Sequence, residues 1–251
     1  MNMPLSLEYV SVEFGGRSIL EPINLSLAPK TIATLVGPNG SGKSTLLSTI
    51  AGVTPTATGR VQIDGYEVSN DPIEARKRLG FMVAQEKLPA LLTPQQCLQL
   101  FSEARGLSGI PESTQQQARD LGLTRWMGTG LDRCSLGTRQ KVAVLLALIG
   151  NPRLILLDEP MNGLDPVCAV ALKQWLSDLR LTHGCSILMA THDLAVVSTL
   201  SDHVLVLLDG RLSIDWGPQR LAALRNDRDV DMETHIVRAL SSENTDPEAD
   251  P

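Results

Sequence analysis

Residues 37–45 read GPNGSGKST, and no other stretch restricts the fold of this chain so tightly. Glycine, four residues, glycine, lysine and a hydroxyl residue form the pattern of a loop that cradles phosphate. The residues before it, TIATLV (31–36), are apolar and β-branched and predict a buried strand. The residues after it, TLLSTIA (45–51), predict the first turns of a helix. Gly37, Gly40 and Gly42 permit backbone angles closed to other residues and allow the main chain to approach a ligand. Successive N–H groups of the loop, among them those of Asn39, Ser41 and Thr45 (Pro38 has none), then surround an anion, aided by the positive helix N-terminus. Lys43 supplies a cation for the β- and γ-phosphates, and the Ser44 hydroxyl suits Mg²⁺. A nucleoside triphosphate with its magnesium is the expected ligand.

A second signal lies in RLILLDEP (153–160), an apolar strand ending in Asp158 and Glu159. Adjacent strand residues face opposite sides, which predicts different roles for the two carboxylates. Asp158 is expected to hold the metal and Glu159 to orient or deprotonate an attacking water. Gln85 follows the apolar stretch LGFMVA (79–84), predicted as a strand, and its neutral amide suits both Mg²⁺ and the water. His192 follows another apolar strand, 186–190, in position to contact a γ-phosphate and to place Glu159 or the water. Taken alone, Gln85 and His192 would be read as surface or capping residues, so both roles depend on their neighbours. In CSLGTRQKVAVLLALIG (134–150), Ser135 is a good cap for a long apolar helix whose N-terminus makes a second anion site. Cys134 has no histidine partner nearby in sequence and is expected to be a buried thiol.

The order of elements predicts the fold. Short alternating stretches over 5–36 and at 60–65 predict strands of an antiparallel subdomain. A short helix is expected over 71–79. From about 94 to 131 the chain turns rich in Gln, Leu and Ala, with Pro94 and Pro111 each opening a helix. Strand and helix then alternate through 153–158, 166–181, 186–190, 194–200 and 204–208, the mark of a mainly parallel sheet covered by helices. Residues 211–217 add a last strand. We therefore expect an α/β fold, a P-loop NTPase core with an N-terminal antiparallel β subdomain and an inserted helical subdomain. The expected layout is a nucleotide-binding domain over 1–220 with its helical insert at about 94–150, a helical extension over 221–241 (with a helix near 230–240), and a disordered acidic tail over 242–251.

Composition sharpens the function class. The 251 residues carry 22 basic and 28 acidic side chains, a net charge of −6, which weighs against nucleic acid as a partner. Four scattered cysteines without a CxxC pair indicate reduced thiols in the cytoplasm. The N-terminus lacks signal-peptide character, and no apolar run is long enough to span a bilayer.

With these motifs in order, residues of about 5–220 resemble the nucleotide-binding subunit of ABC transporters. GPNGSGKST resembles the Walker A motif, Gln85 the Q-loop, LILLDEP the Walker B with its catalytic glutamate, and MNGLDP (161–166) the D-loop with Asp165. His192 resembles the switch histidine, and Phe14 stands where the family carries an aromatic that stacks on adenine. The family signature LSGGQ appears as CSLGT, which keeps Ser135 and Gly137 and departs at the inner glycine and the glutamine. That departure bears on the γ-phosphate contact from Thr138. The relaxed signature and the C-terminus resemble the ABC-2 exporter group. The resemblance implies ATP and Mg²⁺ as ligands and a second ATPase subunit whose signature closes over ATP held here. It also implies a separate membrane-spanning subunit engaged through residues 85–108, peripheral attachment to the inner face of the cell membrane, and export as the direction. An ABC-type ATPase working in cofactor assembly or regulation is the alternative.

Overall fold

The computed structural model describes residues 2–225 and 232–241. The predicted acidic tail therefore lies outside the described residues.

Two sheets carry the architecture. Strands β1 (Leu5–Phe14) and β2 (Arg17–Leu27) form a hairpin over Gly15 and Gly16, both at positive φ. Strand β3 (Ile32–Val36) leads into α1 (Lys43–Ile50). Strands β4 (Thr58–Ile63) and β5 (Tyr66–Glu67) complete the antiparallel sheet in the order β2-β1-β4-β5. After α2 (Pro72–Lys77) comes β6 (Leu79–Phe81), followed by the helical insert α3 (Pro94–Ala104), α4 (Glu112–Asp120) and α5 (Leu136–Leu148). Then alternate β7 (Leu154–Asp158), α6 (Pro166–His183), β8 (Ser186–Ala190), α7 (Leu194–Leu200), β9 (His203–Leu208) and β10 (Arg211–Trp216), with α8 (Pro218–Arg225) and α9 (Met232–Ser241) beyond. The second sheet runs β10-β9-β3-β8-β7-β6, parallel throughout except that β10 is antiparallel to β9.

Period-2 patterning explains how this sheet is buried on both sides. Ile155 and Leu157 pack into a core with α5, whereas Leu154 and Leu156 pack with α1 and the antiparallel sheet. Ile187 and Met189 alternate with Leu188 and Ala190 in the same way. The middle of each of these two strands is thus apolar on both faces, as a doubly covered parallel sheet requires. Helix α5 is apolar on nearly all sides because the insert surrounds it, and its inner residues 142–148 are all buried. Helix α3 starts with a capping box in which Thr93 accepts from the Gln96 N–H and the Gln96 side chain accepts from the Thr93 N–H.

Three boundaries differ from expectation. Strand β6 stops at Phe81, with one further bond from Met82 N–H to the Leu156 carbonyl. Gln85 therefore opens a 3₁₀ turn (Gln85–Lys87) instead of standing directly at a strand end. Helix α8, started by Pro218, begins three residues before the helical extension expected over 221–241. Of the helix expected near 230–240, the first two residues lie outside the described set, and α9 covers the rest.

Gly80 marks where α5 crosses β6. A side chain there would place its first carbon 2.0 Å from the Ala147 carbonyl oxygen and 2.8 Å from Pro152. Gly80→Ala should therefore lower stability by about 1–3 kcal/mol, as overpacked cores do, read from the midpoint of denaturant unfolding.

Candidate active site

The loop after β3 stands at the carboxyl end of a central strand flanked by β8 and β9, where open α/β sheets place their ligands. Its glycines are fixed by steric contact. A carbon added to Gly37 would sit 2.2 Å from the Leu207 carbonyl oxygen, and one on Gly42 would sit 2.7 Å from Leu20. Gly40 and Gly42 have φ of 84° and 105°. Gly42 caps α1 without a side-chain bond, so the first N–H groups of that helix keep their capacity for an anion. Lys43 is buried, and its Nζ donates to the carbonyls of Gly37 at 2.7 Å and Pro38 at 2.9 Å. The ammonium is thereby held over the loop with a proton to spare. The Ser41 hydroxyl, also buried, has no hydrogen-bond partner among the described residues.

Strand β7 delivers the two acids. Asp158 is its last residue, paired with Ala190. Glu159 is already outside the strand, at φ 47°. Its N–H donates to the Ala190 carbonyl at 2.9 Å. The expected strand alternation is therefore interrupted by a left-handed kink at Glu159, and both acids line the same cavity. His192 reaches Glu159 from the end of β8, with Nδ1 2.8 Å from Oε1. Loss of regular pairing after β7 and β8 is what frees both side chains to meet.

Ser44, Gln85, Asp158 and Glu159 line one cavity of about 550 Å³. Asn162 and Gln140 line it too. Neither was assigned a role from sequence, and Gln140, between Arg139 and Lys141 and ahead of the apolar run from Val142, carries no local sign of its burial. Among the described residues no cluster of three or more His, Cys, Asp or Glu is built to hold a metal. For a metal, Ser44, Gln85 and Asp158 instead offer a hydroxyl, an amide oxygen and a carboxylate. That hard-oxygen set fits Mg²⁺, which completes its shell with water and substrate phosphates.

The signature residues lie elsewhere. Ser135 caps α5 by accepting from the Thr138 N–H at 3.2 Å. Ser135, Gly137, Thr138, Lys141 and Asp165 line a different cavity of about 690 Å³, which shares no lining residue with the first. Asp165 accepts from the Cys168 N–H at 2.9 Å and pairs with Lys141 at 3.1 Å. Those partners hold its carboxyl well below the usual carboxylate range. Cys134 is buried and free, and burial pushes its thiol up. Phe14 ends β1, half exposed, on the hairpin whose Leu20 rests against Gly42. One chain therefore brings together Lys43, Ser44, Gln85, Asp158, Glu159 and His192, and keeps Ser135, Gly137 and Asp165 apart from them.

Comparison with known proteins agrees with this geometry. The ABC transporter family model matches residues 20–162, and an AAA domain model matches residues 129–198. The Fe(3+) ions import ATP-binding protein FbpC of Streptomyces coelicolor is 36% identical over 220 residues, which cover 85% of this chain and 62% of that protein. The chain thus spans less than two thirds of that relative. The zinc import ATP-binding protein ZnuC of Pseudomonas putida is 32% identical over 204 residues, covering 81% of this chain and 74% of ZnuC. Among solved structures, an ATP binding subunit of an ABC transporter superposes with TM-score 0.83 at 26% identity, covering 94% of this chain and 98% of that one. The dimeric cassette MJ0796 superposes with TM-score 0.76 at 25% identity, covering 85% and 98%. By sequence, fold and motif order, this chain belongs to the ATP-binding subunits of ABC transporters, a family of ATPases coupled to transport.

Proposed function

We propose that this chain binds ATP with Mg²⁺ at its phosphate loop and hydrolyses it to drive a solute through a separate membrane-spanning subunit, in the import direction. The observation that carries the reading is the convergence of Ser44, Gln85, Asp158 and Glu159 on one cavity beside the loop that holds Lys43. Lys43 and the loop amides bind the β- and γ-phosphates and oppose the charge that spreads over the γ-phosphoryl group. Ser44, Asp158 and Gln85 would hold the magnesium, which when bound would offset phosphate charge. Glu159 takes a proton from the attacking water, and His192 fixes the Glu159 carboxylate and reaches the γ-phosphate.

The separation of the signature cavity from the loop cavity supports a two-subunit site, in which Ser135, Gly137 and Asp165 act on nucleotide held by a second copy or a related subunit. MJ0796 is described as dimeric, once bound to ADP and Pi, which supports the same reading. Among the described residues no helix is long and apolar enough to cross a membrane. The membrane passage in this reading belongs to a separate partner, as the ABC family membership supports. On this reading the chain sits peripherally on the cytoplasmic face.

Export was expected from the CSLGT signature and the likeness to ABC-2 subunits. The relatives found carry names for import of Fe(3+) and zinc, so the subtype expectation loses its support and import becomes the better reading. The same names favour transport over a role in cofactor assembly.

Phe14 gives a direct test. Purified protein should hydrolyse ATP with magnesium and stop on chelation. Phe14→Ala should raise the Kd for ATP on the order of tenfold, the loss expected for one base–aromatic stack, without changing the melting temperature. An unchanged Kd measured by calorimetry would remove Phe14 from the adenine site.

A further inference from the structure

Helix α5 does more than display the signature at its N-terminus. Gly137, Gln140 and Lys141 are spaced i, i+3 and i+4 and so share one face of the helix. All three meet the loop that follows β7. A carbon added to Gly137 would come within 2.9 Å of the Gly163 carbonyl oxygen, and Lys141 pairs with Asp165. Between them the buried Gln140 donates its Nε2 proton to the carbonyl oxygen of Glu159 at 2.9 Å. The same carbonyl accepts the Asn162 N–H at 3.1 Å.

Glu159 needs such restraint. A non-glycine residue at φ 47° is in a sparsely populated region, and a following proline disfavours helical conformations further. Its N–H is fixed by Ala190, which settles the chain on one side of the Cα atom. Orientation of its carbonyl settles the other side, because Pro160 has no N–H to anchor that peptide. The two ends together determine where the Cβ–carboxylate vector points, while His192 grips only the tip.

We infer that Gln140 is a positioning residue for hydrolysis: through its bond to the Glu159 carbonyl it makes the aim of that carboxylate depend on the seating of the signature helix. The inference rests on the proposed role of Glu159 as the group that activates water. A shift of α5 against the loop, as when a second subunit engages the signature, would then move or release the carboxylate with no change at the phosphate loop.

The test uses the full chain and single-turnover ATP cleavage alongside ATP binding. Gln140→Leu removes the donor, and Gln140→Glu keeps the shape but presents only acceptors to a carbonyl. Both should lower kcat on the order of tenfold while the Kd for ATP stays within about twofold of wild type, the loss expected for one positioning hydrogen bond. In a Glu159→Gln background, Gln140→Leu should add no further loss, since the two residues act through one carboxylate. A Gln140→Glu protein with wild-type kcat overturns the inference, and so does a loss that adds fully to that of Glu159→Gln. If Glu159→Gln alone leaves the rate unchanged, the proposed chemistry itself fails, which is a different and separable result.

Discussion

Replacing Glu159 by glutamine should slow ATP cleavage about 10²–10³-fold while the protein keeps its grip on the nucleotide. The substitution preserves size and the hydrogen bond toward His192, so the backbone at φ 47° and its bonds to Ala190 and Gln140 have no reason to change. On the proposed mechanism, what disappears is the basic oxygen that would accept the proton of the attacking water. Binding would still be supplied by other groups, namely Lys43, the loop amides and a metal that Ser44 and Asp158 would hold. The prediction therefore splits kcat from Kd. Single-turnover cleavage and equilibrium titration with ATP measure the two separately, and a variant that loses affinity instead of rate would move Glu159 out of the water-activating role and into binding. The loss corresponds to about 3–4 kcal/mol of transition-state stabilisation.

Much of this site was legible before any coordinates, because its chemistry demands residue types that leave a trace. The phosphate loop requires glycine where a carbon would collide with Leu207 or Leu20, and such positions declare themselves as GPNGSGKST. Strand β7 was readable as an apolar run ending in acid, and the doubly buried sheet followed from strands with no polar face. Local pattern failed where tertiary contact decides. Residues 82–84 are as apolar as a strand, yet β6 ends at Phe81. Gln85 reached the cavity through a 3₁₀ turn that no propensity marks. Strand alternation predicted opposite faces for Asp158 and Glu159, yet Glu159 leaves the strand as a left-handed residue that the surrounding bonds sustain, and both acids line one cavity. Gln140 looked like one more residue of a capped helix, since nothing in its neighbours says that a carbonyl lies 2.9 Å from its amide.

Lys43→Ala should abolish useful ATP binding, raising the Kd on the order of a hundredfold, the magnitude expected for losing charged hydrogen bonds to phosphate. Lys43 is 8% exposed and donates to the Gly37 and Pro38 carbonyls at 2.7 and 2.9 Å. Those bonds hold a positive charge at the mouth of a loop whose remaining donors are neutral main-chain amides. Without it the polyphosphate meets dipoles alone and must shed water for a weaker return. Lys43→Arg should not restore binding, because the planar guanidinium is larger than the ammonium and cannot reproduce two carbonyl contacts in a closely packed loop. The fold should survive both changes, since Lys43 belongs to none of the apolar cores around β3, so the melting temperature without nucleotide should move by only a few degrees. Stabilisation by added ATP, which follows RT ln(1 + [L]/Kd), should then be present in wild type and lost in both variants. Calorimetric titration and thermal melting on the same samples decide the matter: Lys43→Ala binding ATP within threefold of wild type would mean that the nucleotide is held somewhere other than the loop after β3.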